Sequence, residues 1–244
     1  MQPGEKTVCG CVEHSLHKLT KRSAHVVAAG RTDRGVHALG QVLHVDLSCS
    51  IELEQLRKAL NQHLIDQGVT VLTVEEVDHS FHARFDAISR VYEYTLGLVE
   101  IDRLPLALQP WVWAVDKTQH WQATLLRRAL KSYVGSHDFR MFMVGYKPGF
   151  NAVRVIRSVE LDKVKISDPL KEFRDPVNLY RVRIEGSGFL RQMVRLMVAA
   201  AVEVAQGRLS LEQLTRAIDA KQSVPKRYAA PPHGLVLRNV IYKK

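Results

Sequence analysis

The sequence predicts an α+β fold in which two similar halves share one mostly antiparallel sheet with flanking helices. Apolar residues alternate along the chain between the 3.6-residue period of helices and the two-residue period of strands. A similar alternation of helices and strands recurs in residues 1–100 and 101–244, and 46% of the 244 residues are apolar, which is enough for a core. We place the boundary in the segment 101–110, which carries two prolines and no period.

Residues 1–100 are predicted to form two helices and four strands. In chain order these are a helix over 8–19, a buried strand over 24–29, an alternating strand over 41–47, a helix over 53–64, and strands over 69–74 and 90–98. Gly68 closes the second helix, because glycine favours helix ends. The strand over 24–29 leads directly into a loop rich in charge and glycine.

Residues 101–244 repeat this alternation. They are predicted to form a helix over 125–133, strands over 153–164 and 179–185 joined by a polar loop over 168–176, an apolar helix opening at Gly188, a helix over 211–220 and a strand over 235–242. The helix after Gly188 is apolar on more than one face, which predicts burial on several sides.

The charge of the chain favours a polyanionic partner, either nucleic acid or an anionic membrane surface. Lys and Arg number 35 against 25 Asp and Glu, giving a formal net charge of +10. No window approaches the roughly 20 consecutive apolar residues of a membrane span, and no basic-then-apolar signal segment opens the chain. The sequence therefore predicts a soluble, cytoplasmic protein.

Cysteine and histidine spacing predicts no metal site and no disulfide framework. Cys9, Cys11 and Cys49 lack the paired C-x-x-C spacing of a zinc site, and their number is odd. No acidic or sulfur ligand completes a metal-binding spacing among the eleven histidines. Free, reduced thiols are the expectation.

The residue of greatest chemical interest is Asp33, in the run A-G-R-T-D-R-G-V-H-A-L at 29–39. It lies between Arg31 and Arg34, whose positive charges favour its anionic form, so it suits a nucleophile or general base better than a proton donor. Gly30 and Gly35 let the backbone bend closely and let a substrate approach. The structural alternative is an arginine-locked turn in which Asp33 caps the local backbone.

Residues 30–38, G-R-T-D-R-G-V-H-A, resemble the active-site motif of the TruA family of tRNA pseudouridine synthases, and L-G-Q-V at 39–42 continues the likeness. Further family-like blocks follow in the expected order: F-H-A-R-F at 81–85, S-R-V-Y-E-Y at 89–94, G-S-H-D-F at 135–139, G-F-L-R-Q-M-V-R at 188–195 and A-P-P-H-G-L at 230–235. The resemblance implies the pseudouridine synthase fold, with two ferredoxin-like halves. The first would carry the catalytic Asp loop and the second would complete the active-site cleft.

The resemblance also implies an activity. Family enzymes isomerise uridine to pseudouridine within tRNA, at nucleotides 38, 39 and 40 of the anticodon stem-loop, where a stacked base must be extruded to be reached. They use no cofactor and act as homodimers that share each tRNA between subunits. Asp33 matches the reactive aspartate, and both attack on the sugar and assisted loss of the base through a glycal stay open.

Three further residues match the family's catalytic set. Arg31 would orient Asp33 and balance charge on the detached base. Tyr92 would stack on the flipped uracil or relay a proton, although strand tyrosines are usually packing residues. Arg195 would reach toward Asp33, although an arginine on an apolar helix is more often a snorkelling surface residue. Predicted substrate contacts are Arg34, His82, Arg84, Arg90 and Phe189.

The family normally begins with a strand and a G-W-Q segment ahead of the first helix, and this chain begins just past them, so we expect the first strand to be missing. A missing strand would expose a sheet edge beside the active loop. This keeps open an RNA-binding protein, a tRNA chaperone or an inactive truncated synthase without turnover. A glycoside or nucleoside hydrolase is disfavoured, because such enzymes generally need two cooperating carboxylates.

Overall fold

The computed structural model describes residues 6–48, 50–100, 103–164, 178–219 and 228–243. These residues form two compact units. The first contains the described residues of Met1–Arg31, Gln41–Ala87 and Tyr242–Lys244, and the second those of Thr32–Gly40 and Ile88–Ile241. The division at residues 100 and 101 stays a prediction.

The α+β class and the mostly antiparallel sheet are confirmed. The helices and strands in chain order are α1 (Val8–Thr20), β1 (Val27–Ala28), β2 (His37–Ala38), β3 (Leu43–His44), α2 (Leu53–Leu64), β4 (Ala87–Val99), β5 (Trp113–Asp116), α3 (Ala123–Lys131), β6 (Gly135–Asp138), β7 (Val153–Val164), β8 (Asn178–Gly186), α4 (Met193–Ala205), α5 (Leu211–Ile218) and β9 (Leu235–Tyr242).

The first unit packs α1 and α2 over a small apolar cluster. The hydroxyl of Thr7 caps α1 by accepting the N–H of Gly10 at 3.1 Å, and the carboxylate of Glu52 caps α2. The buried cluster comprises Val12, Leu16, Val26, Leu56, Leu60 and Leu64. β1 and β3 form a two-stranded antiparallel sheet, so the single continuous sheet expected from the sequence is two sheets among the described residues.

The second unit is built on a seven-stranded sheet. Its order is β2-β9-β4-β8-β7-β6, with β5 paired to β4. The pairs β4–β8, β7–β8 and β6–β7 are antiparallel, whereas β2–β9 and β4–β5 are parallel. The long strands of residues 87–99, 153–164 and 178–186 agree with the alternating pattern of the sequence.

Helix α4 is the centre of the second unit's core. Every residue of α4 except Arg195 is buried, because apolar residues cover more than one face of the helix, as its sequence indicates. It packs against α3 and the residues that follow, where the buried Tyr133 hydroxyl donates to the carbonyl of Met197 at 2.9 Å. Arg195 is therefore the one residue of α4 that reaches the edge of this core.

Two predicted elements are wrong in type or extent. Residues 69–74 are not a strand, because the side chain of Asn61 satisfies both backbone groups of Val71, at 2.7 and 2.9 Å, in place of a neighbouring strand. The helix predicted from Gly188 begins only at Met193, because Gln192 has a φ of 60°, which a helix interior does not accommodate.

Other differences concern short elements. The strands predicted over 24–29 and 41–47 shorten to β1 and β3, and the sequence periods missed β2, β5 and β6, which have two to four residues each. The polar loop over 168–176 lies outside the described residues. In the described part of the chain, no helix is both long and apolar enough to cross a membrane.

Candidate active site

Asp33 lies in a tight turn that is fixed on its C-terminal side. The N–H of Val36 donates to the carbonyl of Asp33 at 3.1 Å, and Gly35 has a φ of +81°, a conformation that favours glycine. A Cβ on Gly35 would lie only 3.1 Å from Cγ of Pro232. β2 follows at once and pairs with β9, so the sheet itself holds the chain just past the carboxylate.

Arg195 binds the carboxylate of Asp33 from α4. Its Nη1 lies 2.9 Å from Oδ2 of Asp33, and its Nε donates to the carbonyl of Ala230 at 2.7 Å. The side chain of Arg195 is 12% exposed and that of Asp33 28% exposed. The guanidinium is thus aimed by one hydrogen bond while another balances the negative charge of Asp33.

The Asp33 carboxylate can accept further hydrogen bonds besides the one from Arg195. Within the described residues, its side chain accepts a hydrogen bond only from Arg195, at Oδ2. A carboxylate has two oxygens and about four lone-pair sites, so Oδ1 is available to a ligand. This arrangement suits a nucleophile or general base, because the anion is stabilised without being saturated.

Tyr92 and Phe189 form an aromatic wall in the same unit. Their ring centroids lie 5.0 Å apart at an interplanar angle of 84°, an edge-to-face contact. A Cβ on Gly186 would come within 2.9 Å of the Phe189 ring, so the glycine permits this approach. Burial raises the pKa of Tyr92 to about 12, with the negative charge of Asp33 adding to the shift and the positive charge of Arg90 opposing it.

The predicted residues divide between the two units. The second unit holds Asp33, Arg34, Tyr92, Arg90, Phe189 and Arg195, where Arg34 is exposed in the turn and Arg90 donates to the carbonyl of Ser187 at 3.0 Å. The first unit holds Arg31, which is exposed, together with His82 and Arg84. The roles of all nine residues stay predictions.

The segment 230–234 positions Arg195, a role that was not predicted from the sequence. The carbonyl of Ala230 accepts from the Arg195 side chain, and its N–H donates to the Arg195 carbonyl at 3.1 Å. The buried Tyr94 hydroxyl donates to the carbonyl of Pro231 at 2.8 Å, and its ring lies where a Cβ on Gly234 would fall. The available signal was the A-P-P-H-G-L block itself, in which two prolines and a glycine indicate a fixed backbone.

The side chains of the site are acidic, basic and aromatic. Three or more potential His, Cys, Asp or Glu ligands do not come together anywhere in the described ranges. The side chains of the site supply an ion-paired carboxylate, a protonated phenol and an aromatic surface on which a planar group can stack.

Comparison with known proteins agrees with this chemistry. The family model described as tRNA pseudouridine synthase matches residues 1–86 and 129–243. This chain belongs to the tRNA pseudouridine synthase family, whose members are isomerases.

Individual relatives cover almost the whole chain. Proteins named tRNA pseudouridine synthase A are similar to it in Pseudothermotoga lettingae (35% identity over 237 residues, 97% of this chain and 90% of the relative). The same name is carried by relatives in Geobacillus sp. strain WCH70 (36% over 247 residues, 99% and 91%) and Bacillus subtilis strain 168 (35% over 248 residues, 99% and 92%). The resemblance seen in the sequence motifs is therefore confirmed.

Proposed function

We propose that this chain isomerises uridine to pseudouridine at nucleotides 38, 39 and 40 of the tRNA anticodon stem-loop, with Asp33 as the nucleophile. The observation that carries the proposal is the Asp33 carboxylate, which is ion-paired to Arg195 yet partly exposed. The names of the relatives support the reaction and the tRNA substrate. The target nucleotides follow from the family resemblance.

The reaction exchanges one bond to the ribose for another. The bond between N1 of uracil and C1′ breaks, the base turns, a bond between C5 and C1′ forms, and the proton on C5 is transferred so that N1 ends protonated. Asp33 either attacks C1′ or assists loss of the base through a glycal. Arg195 holds the carboxylate in position and balances its negative charge, which is the electrostatic contribution of a preorganised site.

The residues around Asp33 bind the base, transfer a proton and contact the RNA backbone. Tyr92 and Phe189 wall the pocket that receives the extruded uracil, and the protonated Tyr92 phenol relays a proton at C5. Arg31 balances charge on the detached base. Arg34, His82, Arg84 and Arg90 contact the RNA, whose phosphates suit the net charge of +10.

We also propose where the enzyme acts and in which oligomeric state. It acts in the cytoplasm, where its tRNA substrate is made, and as a homodimer that shares each tRNA between subunits, as the family resemblance implies. No step requires an external cofactor, because the product is an isomer of the substrate.

The test is pseudouridine formation on an unmodified tRNA transcript, mapped by chemical probing. We expect wild-type protein to modify nucleotides 38 to 40. Asp33→Asn should lose more than about 1,000-fold of the rate, because the amide is neither nucleophile nor base, while RNA affinity stays within about twofold. The matched control is Asp162→Asn, an exposed aspartate of the same unit.

The outcomes separate the candidate functions. Full activity of Asp33→Asn would overturn the assignment of the nucleophile. Tight tRNA binding by wild-type protein with no pseudouridine would instead favour an RNA-binding protein without turnover.

A further inference from the structure

The turn at residues 81–85 displays an aromatic side chain to solvent. Phe85 is 74% exposed, whereas Phe139 and Phe142 in the second unit are fully buried. Single exposed apolar side chains are common on protein surfaces, so the case for a role of Phe85 rests on the residues around its ring. The ring is backed by His82, whose centroid lies 4.2 Å away at an interplanar angle of 33°.

The turn that carries Phe85 is fixed from within by His82. The Nδ1 atom of His82 accepts the backbone N–H groups of Arg84 and Phe85, at 3.1 and 3.2 Å. The backbone N–H of His82 donates to the carboxylate of Asp86 at 2.6 Å. The imidazole therefore acts both as the cap of the turn and as the surface against which Phe85 lies.

The same turn is also fixed to the rest of the first unit through Ala83. The Ala83 N–H donates to Nδ1 of His44 at 3.0 Å, and its carbonyl accepts from the hydroxyl of Tyr242 at 2.7 Å. Ala83 itself is fully buried, two residues before one of the most exposed aromatic rings described. A rigid backbone with an exposed ring loses little conformational entropy when the ring binds a partner.

The chemistry around the ring favours a polyanion with a planar group. The guanidinium carbon of Arg84 lies over the Phe85 ring, 5.7 Å from its centroid, so positive charge contacts the aromatic surface. A nucleotide matches both features, because its base stacks on an aromatic face while its phosphate attracts the cation. Such stacking requires an unpaired base, since paired bases are already stacked within a helix.

We propose that Phe85, backed by His82, is a stacking platform for an unpaired nucleobase of the RNA substrate, with Arg84 contacting the adjacent phosphate. The inference rests on the proposed function, which supplies the RNA, and adds a base-binding subsite to it. Because every base has an aromatic face, the platform selects single-stranded character rather than sequence.

The test compares three variants on two RNAs. The variants are Phe85→Ala, Phe85→Trp and the control Ile65→Ala, which removes a 70% exposed apolar side chain of the same unit. The RNAs are an unmodified tRNA transcript and a fully paired RNA duplex. We expect Phe85→Ala to weaken tRNA binding about 5- to 100-fold, Phe85→Trp to restore it, and Ile65→Ala to leave it within about twofold. Duplex affinity should be equal in all four proteins.

A second measurement reports the stack directly. Tryptophan fluorescence of Phe85→Trp, corrected with wild-type protein, should be quenched by the tRNA transcript and not by the duplex. Unchanged tRNA affinity of Phe85→Ala, or no quenching beyond wild type, would overturn the platform. An equal loss of affinity for the duplex would also overturn it, since no unpaired base is present there.

The same preparations separate this inference from the proposed function. If wild-type protein forms pseudouridine and Phe85→Ala binds and reacts equally well, the stacking platform is overturned and the proposed function stands. If wild-type protein binds tRNA but forms no pseudouridine, while Phe85→Ala weakens binding, the proposed function alone fails. If wild-type protein does not bind tRNA, both are overturned.

Discussion

Helix α4 carries two ion pairs that differ in which partner is buried. Near its start, Arg195 is 12% exposed and its partner Asp33 28% exposed. Near its end, Glu203 is 9% exposed and its partner Arg208 40% exposed. The first pair buries its cation and presents its carboxylate, whereas the second buries its carboxylate and presents its cation.

The two carboxylates also differ in how fully they are bonded. Both oxygens of Glu203 accept from Arg208, at 2.5 and 2.9 Å, and Oε1 also accepts from the hydroxyl of Tyr228 at 2.9 Å. Asp33 accepts one side-chain hydrogen bond from the described residues. A saturated, buried carboxylate has little capacity left for a ligand, while a partly bonded, accessible one can react, and this contrast supports the proposal that Asp33 is the reactive group.

Of the changes that test this comparison, the largest effect is expected for a substitution of Arg195 that keeps its charge. Arg195→Lys should lower the rate of pseudouridine formation about 100-fold, because an ammonium cannot bind Ala230 and Asp33 with the fixed geometry of a guanidinium. Single-turnover kinetics on a tRNA transcript measure this rate. The matched control is Arg191→Lys, an exposed arginine four residues earlier. Equal rates for Arg195→Lys and wild type would contradict the role of the pair.

A substitution in the Glu203–Arg208 pair should instead lower the stability of the protein. Glu203→Gln should lower the free energy of unfolding by about 2 kcal/mol, since it removes the charge that compensates Arg208 and leaves a poorer acceptor for Tyr228. The rate should stay within about twofold. Urea denaturation measures the change, with Glu212→Gln as control, because that glutamate is 73% exposed in its pair with Arg216 and should change stability by less than about 0.5 kcal/mol. A large loss of rate with unchanged stability in Glu203→Gln would contradict the structural role of Glu203.

The fold was predictable where the apolar period is long. The helices over 8–19 and 53–64 and the strands over 153–164 and 179–185 agree with the structure within a few residues. The strand over 69–74 was wrong because its backbone partner is the side chain of Asn61, which no local period encodes. The late start of α4 depends on the left-handed Gln192, a residue type with no strong preference for that conformation.

The site was predictable only in part. Asp33 stood out from its neighbours, but its pairing with Arg195 spans 162 positions, and only the resemblance to a known family suggested it. Glu203 is one of two polar residues in α4, and its partner Tyr228 is 25 positions away, so no local pattern predicts a saturated pair. Long-range polar contacts have no periodic signal, which is why they require the structure.

A smaller effect is expected from the turn that presents Asp33. Gly35→Ala should cost about 1 to 2 kcal/mol, because its φ of +81° disfavours a side chain and the new Cβ would press on Pro232. Gly149→Ala is a matched control, with a φ of +82° and nothing within 4 Å of its added Cβ. Both variants should lose stability in urea denaturation, but only Gly35→Ala should lower kcat. If the two variants lose kcat equally, the turn does not position Asp33.

The smallest effect concerns pH, and it tests whether Tyr92 stays protonated beside the reactive carboxylate. Burial raises the pKa of Tyr92 from 10.0 to about 12, so the stabilisation linked to its proton is complete below about pH 10 and is lost as the pH rises through about 12. The ratio of the wild-type rate to that of Tyr92→Phe should therefore be constant from about pH 6 to 9. Single-turnover rates across that range measure it, and a ratio that titrates below about pH 9 would show that the phenol ionises during the reaction.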